Sequence, residues 1–177
     1  MNKSSKLGFT LIELLVVVTL VGLMGIIITQ IFILGLRSQA KNQVMKDVRQ
    51  NGDLIISVIE GMVKNAVDIT EAGCGVSSKQ LTITNQDGFS TVFDCSDGAN
   101  MASVSAYPDP IPTVSVNLNT TAVKIENCNF RLICPTPPIN PKYVFVNFNV
   151  VQAGSGTLPE NRASLEYQTT VSLGSYQ

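Results

Sequence analysis

From Leu14 to Leu36 the chain carries no formal charge, and most of its side chains there are aliphatic. At about 1.5 Å rise per residue, a helix of that length extends roughly 35 Å, enough to cross a bilayer core about 30 Å thick. The overall hydrophobic content of 45% and mean hydropathy of +0.25 are concentrated in this segment. The remainder of the chain, Arg37 to Gln177, has ordinary globular composition and is long enough to bury its own core.

A single charge interrupts the apolar face at its start, Glu13. An isolated acid in hydrocarbon costs roughly 2.5–3.5 kcal/mol on insertion scales, less near the end of a span. Cleavage between Gly8 and Phe9 would create a partner, an α-amino group one helical turn ahead of Glu13. At about 4 Å and an effective dielectric near 20, such a pair gains about 4 kcal/mol before desolvation. The two magnitudes are comparable, so pairing offsets the burial.

Gly8-Phe9-Thr10-Leu11-Ile12-Glu13 comes after a short basic leader with Lys3 and Lys6 and opens an unbroken apolar run. This combination resembles the cleavage and methylation signal of type IV prepilins, shared with secretion pseudopilins and competence pilins. The resemblance covers residues 1 to about 36. It implies that a membrane-embedded prepilin peptidase and methyltransferase cuts after Gly8 and methylates Phe9. Glu13 would then be the assembly residue, attracting the amine of a neighbouring subunit. The implied partners are other pilin or pseudopilin subunits, that peptidase, an inner-membrane assembly platform and membrane lipid. The implied location is the bacterial inner membrane, N-terminus cytoplasmic, before assembly, and an extracytoplasmic filament afterwards.

Two plainer readings explain less. A secretory signal peptide cut near Ser38-Gln39-Ala40 has an apolar core of about 7–15 residues, far shorter than this one, and gives Glu13 no purpose. An uncut anchor accounts for the length but not for the string around Gly8. The positive-inside count is equivocal, with Lys3 and Lys6 facing Arg37, Lys41, Lys46 and Arg49 across the span. The cysteines and the processing signal set the orientation instead. Many major pilins carry a kinking proline where this chain has Gln30, so Gly22 and Gly25 are the expected helix weak points.

Beyond Arg37, Val44, Val48, Ile55, Ile59, Met62, Val63 and Ala66 recur at three- and four-residue steps, one apolar helical stripe. Arg37, Lys41, Lys46, Asp47 and Arg49 read as a solvated face, while Gly52 and Gly61 weaken the helix locally. A nearly continuous helix is expected from about Phe9 to Val67. From Gly73 the period becomes two: Leu81, Ile83 and Val92 flank an Asn85-Gln86-Asp87-Gly88 turn. Further strands are expected over Val114–Leu118, Val123–Ile125, Phe130–Ile133, Tyr143–Val151 and Leu165–Leu173, with proline loops at 108–112 and 135–141. The fold class is α+β and pilin-like: one long N-terminal helix, transmembrane then amphipathic, packed on a C-terminal antiparallel sheet. The divisions are a leader at 1–8, an assembly helix at 9–36, an amphipathic helix at 37–69 and a head at 70–177. The late β-hairpin resembles minor pilins and pseudopilins more than major adhesive ones.

Four cysteines behind a membrane signal favour disulfides in an oxidising space. Of three possible pairings, Cys74–Cys95 is expected to staple the helix-to-sheet loop to the first hairpin, contributing about 3 kcal/mol in the chain-entropy model. Cys128–Cys134 then results by elimination, on the condition that the chain bends between them. One straight strand would separate them by about 20 Å and force both to pair elsewhere.

The chain has no histidine, which removes Ser-His-Asp and Cys-His catalysis and most metal sites. Two-residue cysteine spacing is also lacking, so no zinc site is expected. Asp87, Asp94 and Asp97 lack the spacing of a calcium loop and read as turns. A net charge of −1, becoming −3 once Lys3 and Lys6 leave with the leader, argues against strong nucleic-acid binding. No cofactor and no enzyme activity are expected. The favoured function is a structural filament subunit, minor in role by its head and missing proline; the alternative is a membrane-tethered extracytoplasmic binding protein that does not polymerise.

Overall fold

The computed structural model describes residues 10–70, 73–105, 113–135, 141–154 and 162–174. It divides into two compact units, one ending at Ala40 and one beginning at Lys41. A single helix, α1, runs from Leu11 to Asn65 and contributes to both.

In the second unit the apolar stripe of α1 becomes a wall of the core. Val48, Ile55, Ile59, Val63 and Ala66 are buried, and Val44 and Met62 pack half-buried beside them. Burying an aliphatic side chain of this size stabilises by about 1.5–3 kcal/mol, so the stripe fixes this part of the helix far more strongly than propensity does. The helix stops at Asn65, short of the expected Val67. Val67 N–H donates to Thr84 O at 2.8 Å, which draws the chain into a sheet, and β1 (Asp68–Thr70) begins at once.

Among the described residues, eight further strands follow in the head: β2 (Ser77–Ser78), β3 (Gln80–Thr84), β4 (Ser90–Asp94), β5 (Ala102–Ser105), β6 (Val114–Asn117), β7 (Val123–Ile133), β8 (Tyr143–Gln152) and β9 (Ser164–Ser172). They form two antiparallel sheets rather than one, ordered β1-β3-β4-β5-β6 and β2-β7-β8-β9. The arrangement is α+β and pilin-like: a long N-terminal helix followed by antiparallel sheet. Both sheets feed one core, with Leu81, Ile83 and Phe93 from the first and Phe130, Phe148, Val144, Val146 and Val150 from the second. Pro135 and Pro141 lie outside strands, and residues 108–112 lie outside the described residues.

The two short runs expected at Val123–Ile125 and Phe130–Ile133 are one strand with a bulge. Glu126 pairs with Asn149, but Asn129 already pairs with Asn147, so Asn127 and Cys128 share one position on β8. Asn127 takes φ 51°, a left-handed conformation that asparagine tolerates better than most residues. The extra residue reverses the alternation, and burial switches from Val123 and Ile125 to Phe130 and Leu132. A single strand therefore shows two phases.

The disulfides correct the expected pairing. Cys74 bonds Cys134 and Cys95 bonds Cys128, with Cα separations of 5.6 and 6.3 Å. Neither Cys74–Cys95 nor Cys128–Cys134 forms. Cys128 lies within β7 and Cys134 just past its end, so the strand holds them apart and both find partners elsewhere. Cys95 directly succeeds β4 of one sheet while Cys128 belongs to β7 of the other. That bridge ties the sheets together, a constraint invisible while one sheet was expected.

Candidate processing and assembly site

The site begins at the helix start. Thr10 precedes α1 as its cap: its Oγ1 accepts the Glu13 backbone N–H at 3.4 Å, and its carbonyl accepts Leu14 N–H at 3.2 Å. Thr10-Leu11-Ile12-Glu13 has capping-box spacing, and an acidic side chain in the first turn faces the positive end of the helix dipole. Glu13 therefore favours helix initiation here as well as any pairing it enters. Sequence reasoning passed over Thr10, although the Thr-x-x-Glu pattern was visible. Gly8 and Phe9, the expected cut and the expected new terminus, lie outside the described residues.

From Leu11 through Leu36 every side chain is exposed, with Leu11 at 83% and even the most covered large apolar residue, Ile33, at 45%. Soluble domains do not leave a surface of this extent uncovered. The threonine hydroxyls along it are satisfied internally. Thr19 Oγ1 donates to Val16 O and Thr29 Oγ1 to Gly25 O, each at 2.8 Å. Such internal satisfaction is what a hydrocarbon environment requires. α1 is long and apolar enough to cross a membrane. It runs unbroken through Gly22, Gly25 and Gln30, and a Cβ at either glycine would meet nothing within 4 Å.

The other end of α1 is held by polar contacts that the apolar pattern did not reveal. Asn51, buried within the stripe, accepts the Thr120 N–H at 2.8 Å through Oδ1 and donates to Asp47 O at 2.8 Å through Nδ2. The ring of Tyr167, on β9, occupies the space beside Gly52 where a Cβ would stand. Thr169 Oγ1 donates to Glu60 at 3.0 Å. The Lys64 ammonium, 3.0 Å from Glu60, and this Thr169 hydroxyl hold the Glu60 carboxyl below the usual carboxylate range. Asp68 is lowered likewise by its hydrogen bond from Lys142 at 2.7 Å.

Asp87, Asp94 and Asp97 serve turns. Asp87 accepts Phe89 N–H, Asp94 accepts Ser96 N–H, and Asp97 accepts Ala99 and Asn100 N–H. The Asn100 and Ala99 amides keep the Asp97 carboxyl below its ordinary range. Gly88 and Gly98, each next after an aspartate, have φ of 84° and 70°, the left-handed geometry that glycine adopts without penalty.

Residues 3–29 match the family model described as the prokaryotic N-terminal methylation motif. That stretch contains Gly8, Phe9, Glu13, Gly22 and Gly25. No curated protein and no solved structure matches the chain. The motif and the α+β fold together point to a structural protein, and the motif implies processing by a prepilin peptidase and assembly with pilin subunits. The chain carries the N-terminal signal of type IV pilins and pseudopilins.

Proposed function

We propose that this chain is a minor subunit of a type IV pilus or a type II secretion-like pseudopilus, cut after Gly8, methylated at Phe9 and assembled through its N-terminal helix. The observation that carries the reading is the exposed apolar face of α1, which begins within the methylation motif and continues to Leu36. Lipid covers that face in the inner membrane before assembly, with the N-terminus cytoplasmic. Neighbouring helices cover it in an extracytoplasmic filament afterwards. Glu13 draws the Phe9 amine of an adjacent subunit as it docks, and Gly22 and Gly25, with no side chains to stiffen the backbone, are where the helix yields if it loosens on assembly. The minor role is supported by the long irregular head, the late β8–β9 hairpin and Gln30 in place of a kinking proline.

Mass spectrometry of the mature N-terminus, on protein recovered from cells, tests the proposal. The expected first residue is N-methylated Phe9. A chain starting at Met1 or Lys41 overturns it.

A further inference from the structure

The two disulfides are nested. Cys95–Cys128 spans a separation of 33 residues and lies within the 60-residue separation of Cys74–Cys134. Each joins an early part of the head to β7 or its end, and the register of β7 is set by β8. Cys128 sits in the bulge that this register creates. Cys134 lies just past β7, on the side where β2 pairs with it, and Gly75 N–H donates to Leu132 O at 2.7 Å beside that bridge. Neither native pair is defined until the chain through β8 is in place.

On the function proposed above, the head enters the extracytoplasmic space in chain order, Cys74 first and Cys95 next. These two thiols meet an oxidising space while Cys128 and Cys134 are still behind them. Chain entropy acts the same way, because the shorter loop closes more readily. Cys74–Cys95 is favoured over Cys74–Cys134 by about fivefold in an unfolded chain.

We infer that this chain is a substrate of an extracytoplasmic thiol–disulfide isomerase, which converts an early Cys74–Cys95 and Cys128–Cys134 pairing into the nested one. A thiol oxidase of the same compartment makes the early pairs. The isomerase thiolate then attacks Cys95 Sγ, breaks its bond to Cys74 and leaves a mixed disulfide and a Cys74 thiolate. Cys74 attacks Cys134 Sγ, forms Cys74–Cys134 and expels Cys128 as a thiolate. Cys128 attacks Cys95 Sγ in the mixed disulfide, forms Cys95–Cys128 and releases the enzyme thiolate. Two disulfides enter and two leave, so isomerisation consumes no oxidant or reductant.

The test is pulse-labelling of the full chain in bacterial hosts with and without their extracytoplasmic isomerase, with acid trapping and alkylation. Lys79, Lys124 and Arg131 separate the four cysteines, so tryptic peptides distinguish all three pairings. In the earliest sample the Cys74–Cys95 peptide is expected to exceed Cys74–Cys134 by about fivefold. It should decay where the isomerase is present and persist where it is absent. Immediate native bridges in both hosts overturn the inference. Four alkylated cysteines instead overturn export itself, and the inference with it, so the two failures look different. The Cys74→Ser/Cys134→Ser variant keeps only Cys95 and Cys128, and its bridge should form equally in both hosts. Isomerase dependence of that variant also overturns the inference.

Discussion

Tyr167 takes the space beside Gly52 that any larger side chain would need. Its hydroxyl donates to Arg49 O at 3.1 Å, and its ring stacks on Phe148 with centroids 5.4 Å apart and planes 10° from parallel. Phe148 is its register partner on β8, so the ring is fixed from the sheet as well as from the helix. Burial, and after it the charge of nearby Asp53, raises the phenol above its ordinary pKa.

Gly52→Ala sets two effects against each other. Alanine in a helix interior gains about 0.5–1 kcal/mol over glycine. Forcing Tyr167 off its stacked position and away from Arg49 O costs about 1–3 kcal/mol. The second effect wins, so thermal unfolding of Gly52→Ala should show a lower Tm. In a Tyr167→Ala background the same change should raise Tm, and a penalty of equal size in both backgrounds would refute the steric account.

Asn51 links α1 to the turn before β7. Asn51→Leu removes the acceptor for Thr120 N–H, with an expected loss of about 1–3 kcal/mol and faster amide exchange at Thr120. Asn51→Asp keeps an oxygen at that position and should preserve protection of the Thr120 amide. Equal exchange in the wild type and the leucine variant would show that the bond contributes nothing.

The Asp68–Lys142 pair gives stability a definite pH window. The folded carboxyl lies below its unfolded value, about 3.9. Its contribution is therefore full above about pH 4 and disappears as pH falls through the lowered folded value. Both side chains are well exposed, so the magnitude is about 0.2–1 kcal/mol. Lys142→Met should be less stable than wild type at neutral pH and converge with it in acid. A constant difference across that range would count against the pairing.

Glu13→Val should leave leader cleavage and membrane insertion largely intact while reducing filament incorporation severalfold, read by immunoblotting of sheared filaments against the membrane fraction. It also removes an acid from the first helical turn, a change worth only about 0.3–1 kcal/mol. Glu13→Gln separates the two roles, because it keeps capping geometry without the charge. Normal incorporation of Glu13→Gln would reject charge pairing as the assembly mechanism.

Much of the head was legible because the helix stripe and β8 each keep one phase. Val48, Ile55, Ile59 and Val63 repeat at helical steps, and Val144, Val146, Phe148 and Val150 alternate along β8, all of them buried. The Asn85–Gly88 signal likewise marks the β3–β4 hairpin. Legibility failed where phase or length gave no signal. β2 has two residues, and β5 buries none of its four side chains fully. The bulge at Asn127 and Cys128 split β7 into two apparent runs. Gly52 read only as a local weakening of the helix and Asn51 carried no signal, but each is matched to a group far away in sequence, the Tyr167 ring and the Thr120 amide. The cysteine pairs depend on two sheets facing one core, which local spacing does not encode. At the helix start both the motif and the Thr-x-x-Glu cap were readable from the residue string, but only the motif was read.

Because the stretch of α1 after Lys41 packs one face into the core of the head, a pull along that stretch meets no slack tether. Tension reaches Val48, Ile55, Ile59 and Val63 directly and loads them in shear against both sheets. Yielding then requires the helix to be torn out of its seat as a cooperative event, and the Cys95–Cys128 clasp keeps the sheets from parting first. The head is thus built to act under strain as a stiff block rather than a spring.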